Sequence, residues 1–235
     1  MADVYMERII DGELKEHLEI MGAVLIEGPK WCGKTRTSKE FAKSLLSITN
    51  KNQIESLNLL LENGSFDFLD GTPPMLVDEW QLVPGIWDAV RTVVDDRGER
   101  GQFILTGSWM PPKNSEPLHS GAGRIGRLTM RTMSLFESKE SNGAVSLKKL
   151  FDPDYKVSGH SQLSVMDLAT AIARGGWPES IKRTTVIESI ISLSYSYLNG
   201  NPNLQADRKR NSFYHLLKKV QKIFCPIMEG SDVQE

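Results

Sequence analysis

The run Gly28-Pro29-Lys30-Trp31-Cys32-Gly33-Lys34-Thr35 sets two glycines, a lysine and a hydroxyl in the spacing G-x-x-x-x-G-K-[ST]. Each residue type has a task at a nucleotide's phosphates. Glycines let the backbone wrap a phosphate and turn its N–H groups inward. A helix opening at this point adds the positive end of its dipole. Lys34 has the reach for the β- and γ-phosphates, and the Thr35 hydroxyl is a ligand type for Mg²⁺. The candidate ATP contacts are therefore Gly28, Pro29, Lys30, Trp31, Cys32, Gly33, Lys34, Thr35 and Arg36. A helix N-terminus and a nearby lysine would favour the Cys32 thiolate. No resolving cysteine lies near it in sequence, which favours an ordinary loop position over a redox switch.

Binding a phosphate does not cleave it. The stretch "MLVDEW" supplies acids at the end of an apolar run. Asp78 is placed to hold Mg²⁺ through a water, and Glu79 to polarise the attacking water as general base. "FILTGS" supplies Thr106 and Ser108 at a second polar strand tip. Either can position water or sense the γ-phosphate, with Ser108 preferred, and either can equally cap the next turn. "GAGRIGRL" offers Arg124 and Arg127 as the cation that meets the leaving phosphate, as a finger on a neighbouring subunit's nucleotide. Solvated or ion-paired arginines are the alternative for each.

These residues need elements to hold them. "GAVLIEG" (22–28), "PPMLVDEW" (73–80) and "GQFILTGSW" (101–109) are short apolar runs of the kind that form buried parallel strands. Helical spacing appears in 10–21 (Leu14, Leu18, Met21), in 34–48 (Phe41, Leu45, Ile48) and in 84–98 (Ile86, Val90, Val93). Residues 56–63 suit either a second strand or a helix end. Residues 110–126 have loop composition, and 127–137 alternate as a further strand. A helix capped by Ser164 and stopped at Gly175-Gly176 follows, then helical patterns at 186–198 and 210–224. The order predicts an α/β parallel sheet flanked by helices, with a small helical region behind it.

Composition narrows the setting. The 235 residues carry a net charge of -2, so no basic field points to nucleic acid. The basic face of 210–224 is expected to pack its apolar side and solvate its lysines. Cys32 and Cys225 make no metal spacing, and His17, His119, His160 and His215 are scattered. The charged N-terminus is unlike a signal peptide, and no apolar run approaches a spanning helix. A soluble protein in a reduced, cytoplasmic compartment is expected, with no membrane partner. Trp80, Trp87 and Trp177 are expected to serve packing.

"GAVLIEGPKWCGKT", "LVDEWQLVPGIWDAVR", "FILTGS", "SGAGRIGRLTMRTMSLFES" and "ARGGWPES" occur in that order. Together they resemble the AAA+-type P-loop ATPases of bacteria and archaea that carry a C-terminal domain of restriction-endonuclease-like fold. The resemblance runs from about residue 5 to about residue 200. It implies that Gly28, Gly33, Lys34 and Thr35 bind ATP and Mg²⁺, that Asp78 and Glu79 form the acidic pair, and that Ser108 is the sensor. It makes Arg124 or Arg127 the finger candidate, and puts the "FILTG" strand between the other two. Family members continue well beyond Glu235, so the chain reads as truncated near the start of a second domain, with residues 1–160 as the ATPase domain and 161–235 as a lid-like helical region.

The function this implies is Mg²⁺-dependent ATP hydrolysis coupled to a change in a partner domain, a homo-oligomer or a DNA or protein client. The alternative is a nucleotide-dependent binding module with little hydrolysis. No acceptor pocket for a kinase is apparent. "NKNQ" at 50–53 lacks the aspartate that would pair with guanine.

Overall fold

A computed structural model of the chain describes residues 4–107 and 121–182. The chain divides into two units, residues 1–144 and 145–235. In the first, five strands form one sheet: β1 (Ala23–Glu27), β2 (Ser44–Ser47), β3 (Met75–Asp78), β4 (Phe103–Thr106) and β5 (Ile125–Thr129). Their order is β2-β3-β4-β1-β5, and each pairing is parallel. The strand carrying "FILT" thus lies between those carrying "AVLIE" and "MLVD", as expected. This is the α/β P-loop NTPase arrangement.

Two apolar clusters explain why the strands read as unbroken apolar runs. On one face Leu25, Val77, Leu105 and Ile125 pack with Leu57 of α3 (Lys51–Glu62) and with Ile86, Trp87, Val90 and Val94 of α4 (Gly85–Arg97). On the other face Val24, Ile26, Leu76, Ile104 and Leu128 pack with Ile10 and Leu14 of α1 (Ile10–Ile20). Leu18 and Met21 join this second cluster at its margin, as their spacing with Leu14 suggests. Trp80 and Trp87 are buried in the first cluster with ring centroids 5.1 Å apart, which makes them packing residues.

Three elements differ from the sequence reading. The helix expected over 34–48 stops early: α2 spans Lys34–Phe41, and Ala42 is already extended. Residues 44–47 instead pair with β3 as an edge strand. The apparent helical stripe joined residues of different layers. Phe41 packs with the α1 cluster, Ile48 with the α3–α4 cluster, and Leu45 is exposed. Backbone pairing with β3 overrides a local pattern that fits a helix equally well. Of the undecided stretch 56–63, residues 56–62 are helical and belong to α3.

The strand expected over 127–137 begins earlier, at Ile125, where Ile125 and Gly126 pair with Ala23 and Val24. It ends at Thr129; the Met130 N–H still donates to the Glu27 carbonyl at 2.8 Å, and beyond it the chain's polar groups take side-chain partners. The Arg131 carbonyl accepts from Arg8, and the Ser134 N–H donates to Glu137.

In the second unit, α5 (Val165–Arg174) is capped as predicted. Ser164 accepts from the Asp167 N–H, and Asp167 accepts from the Ser164 N–H. Those bonds from Ser164 hold the Asp167 carboxyl below its ordinary range. Gly175 ends the helix, and α6 (Pro178–Ile181) follows Trp177. The helices expected at 186–198 and 210–224, and Cys225, His119 and His215, lie outside the described residues.

A second reciprocal cap starts α3. The Asn50 side chain accepts from the Gln53 N–H at 2.9 Å, and the Gln53 side chain accepts from the Asn50 N–H at 3.3 Å. Asn50→Ala is expected to lower stability to urea by about 1 kcal/mol with the denaturant slope unchanged. An unchanged midpoint would show that the cap contributes nothing.

Candidate functional site

The parallel register aligns the strand ends. Asp78 lies opposite Thr106, and Thr106 opposite Ile26, so the residues that follow β1, β3 and β4 leave the sheet at one edge. The phosphate-type loop leaves from β1. Its first residue, Gly28, has φ 154°, and a Cβ there would collide with the Met130 carbonyl. Only glycine allows this close approach. Gly33 caps α2, and Trp31 sits in the left-handed region at φ 64°. A non-glycine residue there costs about 1–2 kcal/mol. Pro29, Lys30 and Trp31 face outward, with Lys30 Nζ 5.1 Å from the Trp31 ring centre.

Lys34 is buried, and its Nζ donates to the Gly28 and Pro29 carbonyls, both at 3.0 Å. Among the described residues no carboxylate lies within ion-pair range of it. A cation held by neutral carbonyls inside its own loop keeps its charge available for an anion. Arg36 pairs with Glu40 and stacks 5.0 Å from the Tyr5 ring centre. Cys32 is fully buried, and its thiol lies 3.7 Å from the Met130 carbonyl. Burial pushes the thiol up, against the opposing pull of Lys34, so the expected thiolate tendency is reversed.

Asp78 receives two hydroxyls on the same oxygen. Thr35 Oγ1 donates to Oδ1 at 2.9 Å, and Thr106 Oγ1 donates to it at 2.5 Å. Thr106 is therefore committed to orienting Asp78. The donor set of hydroxyl and carboxylate oxygens suits a hard cation such as Mg²⁺. Among the described residues no cluster of three or more His, Cys, Asp or Glu could hold a metal by itself.

Glu79 is next in line, at φ 60° and ψ 39°. Its N–H donates to the Thr106 carbonyl at 2.9 Å, and its carboxylate accepts from the Gln81 amide. Ser108 lies outside the described residues.

The two arginines stand apart from this group. Arg124 precedes β5 at the amino end of the sheet, where its carbonyl accepts from the Ala23 N–H at 3.0 Å. It pairs with Asp95 at 2.8 Å. The five residues of β1 separate it from the loop by about 16 Å, so its side chain does not reach this chain's own loop. Arg127 lies within β5 opposite Leu25, over the Trp87 ring at 5.4 Å and 3.9 Å from Glu27. Its side chain is 56% exposed, which leaves it accessible to a neighbouring molecule.

Two parts of the site escaped the sequence reading. One is Arg8, whose side chain is 5% exposed. It donates to the Cys32 carbonyl of the loop at 2.8 Å, to the Arg131 carbonyl at 2.9 Å and to Glu137 at 2.9 Å. Glu137 also accepts from the Ile9 N–H and from Ser134. Burial by itself would raise the Glu137 carboxyl. The N–H donors of Ser134 and Ile9, with Arg8, outweigh it and hold the carboxyl below the ordinary 4.5. Arg8 and Glu137 are 129 positions apart, and no local pattern links them. The other is Gln81. It sits inside the same motif as the acids, two positions after Glu79, and carries no charge to mark it.

A family model described as an AAA domain matches residues 21–139, about half of the chain. The chain belongs to this AAA domain family. The matched segment of the AAA domain holds the loop, the acids and the arginines together. No curated protein matches the chain. Among solved structures it is similar to a Signal Transduction ATPase with Numerous Domains (STAND) protein with a tetratricopeptide repeat sensor from Pyrococcus horikoshii. That match has 16% identity, covers 58% of this chain and 25% of that one, and has a TM-score of 0.36. It is also similar to PCH-2 of C. elegans, at 15% identity over 80% of this chain and 59% of that one, with a TM-score of 0.40. The chain thus spans less than two thirds of either. Among the described residues no helix of the AAA domain chain is long and apolar enough to cross a membrane.

The Arg8–Glu137 pair makes a pH-dependent contribution. A carboxyl whose folded value is depressed stabilises the fold above its unfolded value, and that contribution is lost as pH falls through the folded value, below 4.5. Glu137→Gln is expected to cost about 3 kcal/mol near neutral pH, because it leaves a buried guanidinium without its counter-charge. The difference from wild type should shrink in acid. Urea titrations at several pH values check this; equal stability near neutral pH would dismiss the pair as a strut.

Proposed function

We propose that the chain is a Mg²⁺-dependent ATP hydrolase that couples turnover to a conformational change in a partner domain or complex. The observation that carries this reading is the meeting of Lys34, Thr35, Asp78 and Glu79 at one edge of a parallel sheet. Membership of the AAA domain family supports it. Lys34 exchanges its loop carbonyls for the β- and γ-phosphates. Thr35 and Asp78 are the residues that would hold Mg²⁺, which when bound offsets the phosphate charge. Glu79 takes a proton from water as the water oxygen bonds the γ-phosphorus. The bond from that phosphorus to the bridging oxygen breaks, and its electron pair leaves with ADP. The proton passes from Glu79 to phosphate. A partner domain of restriction-endonuclease-like fold is the one the sequence resemblance implies.

Arginine help comes in trans on this reading. Arg124 lies too far from its own loop, and Arg127 is exposed on the edge strand. A second reading, a nucleotide-dependent binding module with little hydrolysis, draws support from the engagement of Glu79 by Gln81.

Phosphate release from Mg·ATP, measured across protein concentration, separates the two. Lys34→Ala should abolish nucleotide binding, whereas Glu79→Gln should keep it and lower turnover by about 10²–10⁴-fold. Full turnover in Glu79→Gln would remove it as the base. Arg124→Ala or Arg127→Ala should lower turnover with binding intact. For a finger in trans, Lys34→Ala subunits that keep their arginines should restore turnover to the arginine variant; no recovery on mixing would exclude a shared site.

A further inference from the structure

We infer that Gln81 is a positioning residue that holds the Glu79 carboxylate in a resting orientation and thereby restrains water activation. This rests on the hydrolase reading of the same site. The backbone leaves Glu79 little choice of direction. Its N–H is tied to the Thr106 carbonyl at 2.9 Å, its own carbonyl accepts from the Leu82 N–H at 3.0 Å, and its φ of 60° is left-handed. The chain therefore reverses sharply after β3 into the short turn Trp80–Leu82, which brings Gln81 back beside the acid two positions before it. The Gln81 amide N–H then donates to Glu79 Oε2.

The rest of the Gln81 amide shows that this contact is a latch with a cost. Its Oε1 is buried and has no hydrogen-bond partner among the described residues. The amide cannot simply be turned over, because only its NH₂ side can donate to a carboxylate. A buried acceptor without a donor is unfavourable. The bond to Glu79 therefore persists against an opposing penalty, which makes release easy once a competing donor or acceptor arrives.

The slot for Oε1 is supplied by another strand. Gly107 follows Thr106, and a Cβ on it would lie 2.5 Å from Gln81 Oε1 and 2.9 Å from Trp80 Nε1. Glycine at the end of β4 is thus what allows Gln81 to lie there. The same strand end holds Asp78 through Thr106, so a shift at the β4 tip moves the ligand acid and the latch together.

A carboxylate that accepts an amide N–H has one oxygen occupied and its electron density drawn off, both of which oppose proton transfer from water. Methionine matches glutamine in length and bulk and has no N–H, so Gln81→Met removes the latch and keeps the packing. The test is steady-state turnover of Mg·ATP by the full chain and by Gln81→Met, with Lys34→Ala as the background, together with nucleotide Kd and thermal midpoint. The expected result is a rise in kcat of about tenfold in Gln81→Met, with Kd unchanged and the midpoint not lowered.

A residue with only a structural role would instead lower midpoint and kcat together. Wild-type turnover above background with no rise in Gln81→Met overturns the latch and leaves the hydrolase reading standing. Turnover that appears only in Gln81→Met supports both. No turnover in either protein, with ATP still bound, overturns the hydrolase reading and the latch with it.

Discussion

The site depends on Asp78 Oδ1, the single oxygen at which three elements meet. Thr35 brings the start of α2, Thr106 brings the end of β4, and Asp78 itself ends β3. Such a convergence is possible only if the three strand ends are level, and the parallel register makes them so. The neighbouring strand pairs are fully buried, which fixes that register. A slip of one residue would turn Leu76 and Ile104 from one apolar cluster into the other. Packing on both faces of the sheet thus sets the position of a carboxylate to within hydrogen-bond tolerance, and the loop and the candidate base inherit their places from it.

What could be read from sequence follows from the range of each interaction. The loop was legible because its chemistry is contained in eight consecutive residues. The acids were legible because an apolar run ending in Asp78-Glu79 has one natural place in a parallel sheet. The end of α2 was not legible. Phe41, Leu45 and Ile48 have helical spacing, and only the pairing of 44–47 with β3 assigns them to different layers. In "TGS" the sequence shows hydroxyls at a strand tip but not that Thr106 is the one that meets Asp78. Arg124 and Arg127 looked equivalent in "GRIGR". The register separates them, placing one before the strand and the other within it.

Arg8 and Glu137 mark the limit of such reading. A basic and an acidic residue 129 positions apart look like ordinary surface charges until the fold encloses both. Enclosure is expensive for each ion, and their mutual attraction alone offsets it poorly. What completes the balance is the set of backbone partners: the carbonyls of Cys32 and Arg131 for the guanidinium, the N–H groups of Ile9 and Ser134 for the carboxylate. An apolar pair of the same volume would fill the space and leave the buried Cys32 carbonyl without its donor. The ion pair is therefore favoured by geometry more than by Coulomb energy. Its consequence is mechanical, because one guanidinium joins the loop, the segment before α1 and the chain leaving β5. Through Arg8 the loop backbone at Cys32 is linked to residues 131–137 without passing through the sheet.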